Sequence, residues 1–161
     1  MLHLASHRGL SVGLVGMLPA LLAMLISGCG DATPEQKTVK VRELLAKKDG
    51  EGANRLLNGG ADPWDTDAAG GTLLHLAAAQ GLVPAATTLV AKGVDVNAKT
   101  KEGVTPLYEA VSGGHEAMVE LLLKCQADPN LAPAGKPTAL ALAKEKGLSK
   151  MAQALQAKGA K

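Results

Sequence analysis

Phenylalanine is absent from this 161-residue chain, which holds one tryptophan, one tyrosine and two cysteines. Aromatic residues at 1% leave Leu, Val, Met and Ala to build a core, which suits closely packed helices better than a β-sandwich. Two cysteines cannot form a disulfide framework. Excess basic charge is also lacking, with 17 Lys and Arg against 15 Asp and Glu. A surface that tracks a phosphate backbone is therefore not expected, and nucleic acid is not an expected partner. The sequence contains no GxGxxG, GxxxxGK[ST] or HExxH motif, and no GxSxG beyond residue 28. A hydrophobic share of 47% is too high for a disordered chain, and the length suggests roughly one domain.

The first 28 residues read as an address. Arg8 is the one fixed charge in residues 1–9, and residues 10–26 carry none. A short basic start followed by an apolar run predicts a secretory signal peptide. The run is 17 residues long, at the lower limit for a bilayer span, and Pro19 lies near its middle. A permanent transmembrane anchor is the lesser alternative. Directly after it, Ile26-Ser27-Gly28-Cys29 resembles a bacterial lipobox. The resemblance implies removal of residues 1–28 and attachment of fatty acyl chains to Cys29. Each buried methylene contributes about 0.8 kcal/mol and a single chain binds only marginally, so two or three chains would hold the protein on a membrane. By the same resemblance, Gly30 in place of an Asp after Cys29 favours the periplasmic face of the outer membrane over the inner. Residues 29–36 (CGDATPEQ) are small and polar and read as a tether.

A 33-residue interval organises the remainder. It relates Thr72, Thr105 and Thr138; Ala77, Ala110 and Ala143; Gly81, Gly114 and Gly147; and Leu89, Leu122 and Leu155. Gly60-Ala61-Asp62, Gly93-Val94-Asp95 and Gln126-Ala127-Asp128 share it too. In residues 100–132, Thr105 is placed to cap a helix that Pro106 opens, and Gly113-Gly114 to end it. Met118, Val119, Leu121, Leu122 and Leu123 predict a second short helix, and Asp128-Pro129-Asn130 a turn. Each helix is too short to persist alone, and stacked copies would share one core. The recurring Asp62, Asp95 and Asp128 are turn formers rather than an acid/base pair.

Gly103-x-Thr105-Pro106-Leu107-Tyr108-x-Ala110 and Gly70-x-Thr72-Leu73-Leu74-His75-Leu76-Ala77-Ala78 resemble the ankyrin-repeat motif. The resemblance implies an all-α solenoid over residues 37–161, in approximate repeats 37–66, 67–99, 100–132 and 133–161. Two inner copies look well formed and the outer two look like degenerate caps. In the first, residues 39–66, the Thr-Pro start is gone; in the last, Lys150, Gln153, Gln156 and Lys158 give the second helix a polar face. Gln126 replaces a Gly at a left-handed cap.

His75 falls on the motif position of a structural His, and His115 opens a helix where exposure is expected. No catalytic residue, metal site or cofactor is expected. Cys125 is read as an unpaired, semi-buried thiol, and pairing with another chain is the alternative. Trp64 is either a binding anchor or packing for the first cap. Tyr108 is expected to be packed. The family binds other proteins through hairpin tips and the ends of its first helices. Carried over, that implies Trp64, Asp65 and Thr66 on the first hairpin, Lys99, Lys101 and Glu102 on the second, and Gln80 and Ser112 at inner-helix ends. The expected function is a membrane-anchored periplasmic interaction module without catalysis. The alternative is an immunity or inhibitor protein that blocks a toxin or envelope enzyme.

Overall fold

The structure is a computed structural model that describes residues 32–161. The signal segment and Cys29, with the expectations attached to them, lie outside the described residues. Residues Thr33–Lys161 form one compact unit.

Four threonines start the inner helices. Thr33 caps α1 (Pro34–Ala46), Thr72 caps α3 (Leu73–Gln80), Thr105 caps α5 (Pro106–Gly113) and Thr138 caps α7 (Ala139–Glu145). At Thr33, Thr105 and Thr138 the hydroxyl accepts an amide N–H of the first turn, which satisfies a donor the helix itself cannot use. Each inner helix is followed by an outer one: α2 (Gly50–Asn58), α4 (Val83–Ala91), α6 (Glu116–Lys124) and α8 (Ser149–Ala157). Inner helices pack on inner, outer on outer, and each pair packs internally, so the eight helices of the described residues form a two-layer stack.

The first copy corrects the sequence reading. Its Thr-Pro start is displaced, not lost. Thr33-Pro34 stands six residues upstream of position 39, where the 33-residue interval points. Gln36 completes a capping box with Thr33, and α1 grows to 13 residues. Residues 33–36, expected in the tether, therefore belong to the folded unit. Thr38 ties this extension down: its hydroxyl donates to the Pro34 carbonyl at 2.8 Å and accepts from Asp62 N–H at 2.8 Å.

The core is aliphatic, as the lack of aromatics requires. Leu45, Leu57, Leu74, Leu89, Leu122 and Leu155 are fully buried, and Ala77, Ala78, Ala86, Ala110 and Ala143 let adjacent helices approach closely. Tyr108 is packed as expected. The last copy keeps a polar outer face, with Lys150, Gln153, Gln156 and Lys158 exposed. Asp62, Asp95 and Asp128 each accept the backbone N–H two residues on, at 2.8–2.9 Å, which fixes the turn after each outer helix. Cys125 is a free, half-buried thiol.

Candidate functional site

The loop between successive copies projects as a short hairpin. In the first, Asp67 N–H donates to the Gly71 carbonyl, and a single bridge joins Thr66 and Thr72. In the second, Thr100 N–H donates to the Val104 carbonyl. Lys101 N–H donates to the Ala69 carbonyl at 2.8 Å, so the two hairpins stand side by side.

At their base lies a groove of about 310 Å³. Leu76 and Ala79 of α3 give it an apolar floor, and Asp67, Glu102 and Glu109 bring carboxylates to it. Arg42 of α1 closes one end. Its Nε donates to the Asp65 carboxylate at 2.7 Å, and its Nη1 lies 3.9 Å from Asp67. Its Nη2 is buried without a hydrogen-bond partner. Half-exposed pairs of this kind contribute little to stability, about 0–1 kcal/mol, but they fix where the guanidinium points. Glu109 is half-buried on the first turn of α5, where a negative charge suits the helix N-terminus. It makes no ion pair among the described residues.

His75 also lines the groove, yet both its nitrogens are engaged. Nε2 lies 3.0 Å from the Val104 carbonyl, so it carries the proton, and Nδ1 accepts from Thr72 N–H at 3.1 Å. Burial pushes its pKa below the usual histidine value; the Val104 bond and the charges of Glu109 and Asp67 oppose the shift. His75 thus joins two copies, in the role its motif position implies. His115 corrects the expectation of exposure. It is half-buried, its Nε2 lies 2.9 Å from the Ala79 carbonyl, and its ring fills the space beside Gly81 and Gly113.

The residues carried over from the family are placed unevenly. Glu102 lines the groove. Thr66, Lys99 and Lys101 are exposed on the hairpins, Ser112 is exposed at the end of α5, and Gln80 is half-buried at the end of α3. Asp65 is held by Arg42. Trp64 is 61% exposed and does not line the groove, so it is not packing for the cap. Sequence reasoning missed Arg42, Asp67 and Glu109. A signal existed for Arg42, which falls on the His75 position one interval earlier. The other two carried none.

Comparison with known proteins covers the same stretch. Residues 43–133 match the family described as ankyrin repeats in three copies. An ankyrin repeat and KH domain-containing protein of Caenorhabditis briggsae is 41% identical over 86 residues, 52% of this chain and 3% of the relative. The potassium channel SKOR of Arabidopsis thaliana is 39% identical over 79 residues, 49% of this chain and 10% of the relative. Ankyrin repeat family A protein 2 of Homo sapiens is 40% identical over 74 residues, 46% of this chain and 24% of the relative. The likeness is confined to the repeats, since the chain spans at most 24% of these three relatives. Capped helix pairs at a 33-residue interval, a His that joins copies and the family match agree: the chain belongs to the ankyrin-repeat family.

Proposed function

We propose that this chain is an exported, lipid-anchored interaction module that captures another protein in the groove between its first three copies. Acyl chains on Cys29 hold it to the cell envelope facing the periplasm, with the outer membrane favoured over the inner. It has no catalysis of its own and needs no cofactor. The observation that carries the binding reading is Glu109, a half-buried carboxylate without an ion pair in a groove that also holds Asp67 and Glu102. Arg42 and Lys136 lie 3.9 Å and 3.5 Å from Asp67 and Glu102, which leaves Glu109 as the carboxylate of the three without a cation. The groove therefore suits a partner segment bearing a Lys or Arg side chain, whose desolvated charge would find acceptors. Thr66, Lys99 and Lys101 form the rim on the hairpins, and Gln80 and Ser112 extend it along the inner helices. Anchoring at a surface raises the effective concentration of a partner held at the same surface.

Two measurements on cells producing the full chain test this reading. Mass spectrometry of the mature N-terminal peptide should find acyl mass on Cys29, and an unmodified or uncleaved N-terminus refutes the anchor. A photo-crosslinking residue at Glu109 should give a discrete adduct, while one at Glu120 on α6 should not. Equal labelling at both positions refutes the groove.

A further inference from the structure

Val39 and Trp64 are the large hydrophobic side chains left exposed among the described residues, at 69% and 61%. Both lie at one corner of the first copy. Val39 lines a shallow cleft of about 270 Å³ with Pro34, Asp62 and Asp65, and Trp64 sits between those two aspartates in sequence, its N–H bonded to Asp62. The position of Trp64 makes its exposure costly. Its counterparts Asn97 and Asn130 each join their turn to the following copy: Asn97 Oδ1 accepts Asp128 N–H at 2.8 Å, and Asn130 Oδ1 accepts Lys161 N–H at 2.9 Å. Trp64 forgoes that bond and offers an apolar ring to solvent instead.

The same corner is where the chain enters the fold. α1 begins at Pro34, capped by Thr33. Three residues separate Thr33 from Cys29, and the four steps at 3.3–3.6 Å each reach about 14 Å at most. Thus any acyl chains on Cys29 hold this corner, rather than the far copies, near the headgroups. Tryptophan is the side chain most suited to that depth, with an apolar body and one N–H donor. Charge at the corner is close to balance. Arg42 holds Asp65, and both Lys40 and Lys47 pair with Glu43, which leaves Lys37, bonded to the Gly59 carbonyl, against Glu35 and Asp62. Such a surface suits zwitterionic headgroups and needs no anionic lipid.

We infer that Trp64 and Val39 form a membrane-interface contact that seats the first copy on the bilayer. The inference rests on the lipid-anchor reading for its geometry and adds to it a fixed orientation. Trp64 is the single tryptophan of the chain, so its emission reports this corner alone. The test is the purified mature chain, with Cys125→Ser, coupled through the Cys29 thiol to maleimide-bearing lipid in phosphatidylcholine vesicles. This makes the anchor chemically, so the outcome does not depend on whether cells acylate Cys29. Emission should shift to the blue on coupling. A doxyl group near the headgroup should quench it about twofold more than one near the terminal methyl, as an interfacial depth requires. Val39→Asp should weaken shallow quenching while leaving the urea midpoint unchanged. Emission that stays red and unquenched on vesicles overturns the inference, as does equal quenching in the Val39→Asp variant.

Discussion

His75 and Val104, 29 residues apart, meet across two copies through a 3.0 Å contact between Nε2 and the carbonyl oxygen. The contact requires the proton on Nε2 and leaves Nδ1 as the acceptor for Thr72 N–H. A second proton, on Nδ1, would face that N–H and would have the Thr72 hydroxyl oxygen, 2.9 Å away, as its acceptor. Burial, which disfavours the charged ring, holds the folded-state pKa below the ordinary value of 6.5. Between the two values the unfolded chain binds more protons than the folded one, so stability rises with pH there. It is fully present above about 6.5 and is lost as pH falls toward the folded value. The urea midpoint should therefore drop between pH 7.5 and 5.5. His75→Gln should cost about 1–3 kcal/mol at the higher pH, by leaving buried groups unpaired, and should flatten the slope. Equal slopes in both proteins would remove His75 as the cause. Glu43, held at about 2 by Lys40 and Lys47, acts only below its ordinary value of 4.5 and is exposed, so it does not confuse this window.

Among the described residues two non-glycine residues sit in the left-handed region, Lys48 at φ 63° and Gln126 at φ 66°. Their counterparts are glycines: Gly81, Gly114 and Gly147 for the first, Gly60, Gly93 and Gly159 for the second, all with positive φ. A side chain there costs about 1–2 kcal/mol against the ordinary helical region, and glycine regains part of it while adding entropy to the unfolded chain. Lys48→Gly and Gln126→Gly should each raise stability by about 0.5–1 kcal/mol. Chemical denaturation of the single and double variants checks this. The two sites lie in different copies, so the gains should add.

Legibility in the sequence followed the repeat. Wherever an interaction recurs every 33 residues, as at Thr72, Thr105 and Thr138 or at Asp62, Asp95 and Asp128, one copy informed the others. The left-handed strain at Gln126 was visible for that reason, because two glycines marked its place. The first copy departs from the register: Thr33 caps α1 six residues early, and a fixed interval cannot find a displaced cap. Lys48, by contrast, stands in register with Gly81, Gly114 and Gly147, so its strain was legible and was overlooked. The groove was harder still. Asp67 and Glu109 have no matching acid one interval away, and they meet only because neighbouring hairpins stand side by side. His115 was misjudged because an N-cap position says nothing about the glycine-lined space that receives its ring.

Leu122 has no exposed surface and packs between the third copy and its neighbours. Leu122→Ala should cost about 2–5 kcal/mol, combining lost transfer energy with the cavity left behind. In a stack held by contacts between neighbours, the loss falls on the coupling between the second and fourth copies as well as on the third. Hydrogen exchange should show the fourth copy losing protection along with the third while the first retains more. Val39→Ala, at an exposed position, should leave the midpoint within about 0.5 kcal/mol of the parent.

Trp64 offers the sharpest opposition between stability and use. Asn97 and Asn130, one and two intervals on, accept Asp128 N–H and Lys161 N–H. An asparagine at 64 would face Asp95 N–H in the same register, since Asp95 and Asp128 are one interval apart. Trp64→Asn should therefore stabilise the folded unit by about 0.5–1.5 kcal/mol, the net worth of one hydrogen bond. If Trp64 is kept to touch lipid, the lipid-coupled variant should also lose the protection from hydrogen exchange that phosphatidylcholine vesicles give the turn at Asp62. A residue retained for function commonly stands where another would be more stable. Denaturation, and hydrogen exchange of the vesicle-coupled form, give both readings on the same purified variant. A gain in stability with that protection unchanged would mean that the tryptophan does not serve the membrane, and a loss of stability would mean that the first turn does not share the register of the other two.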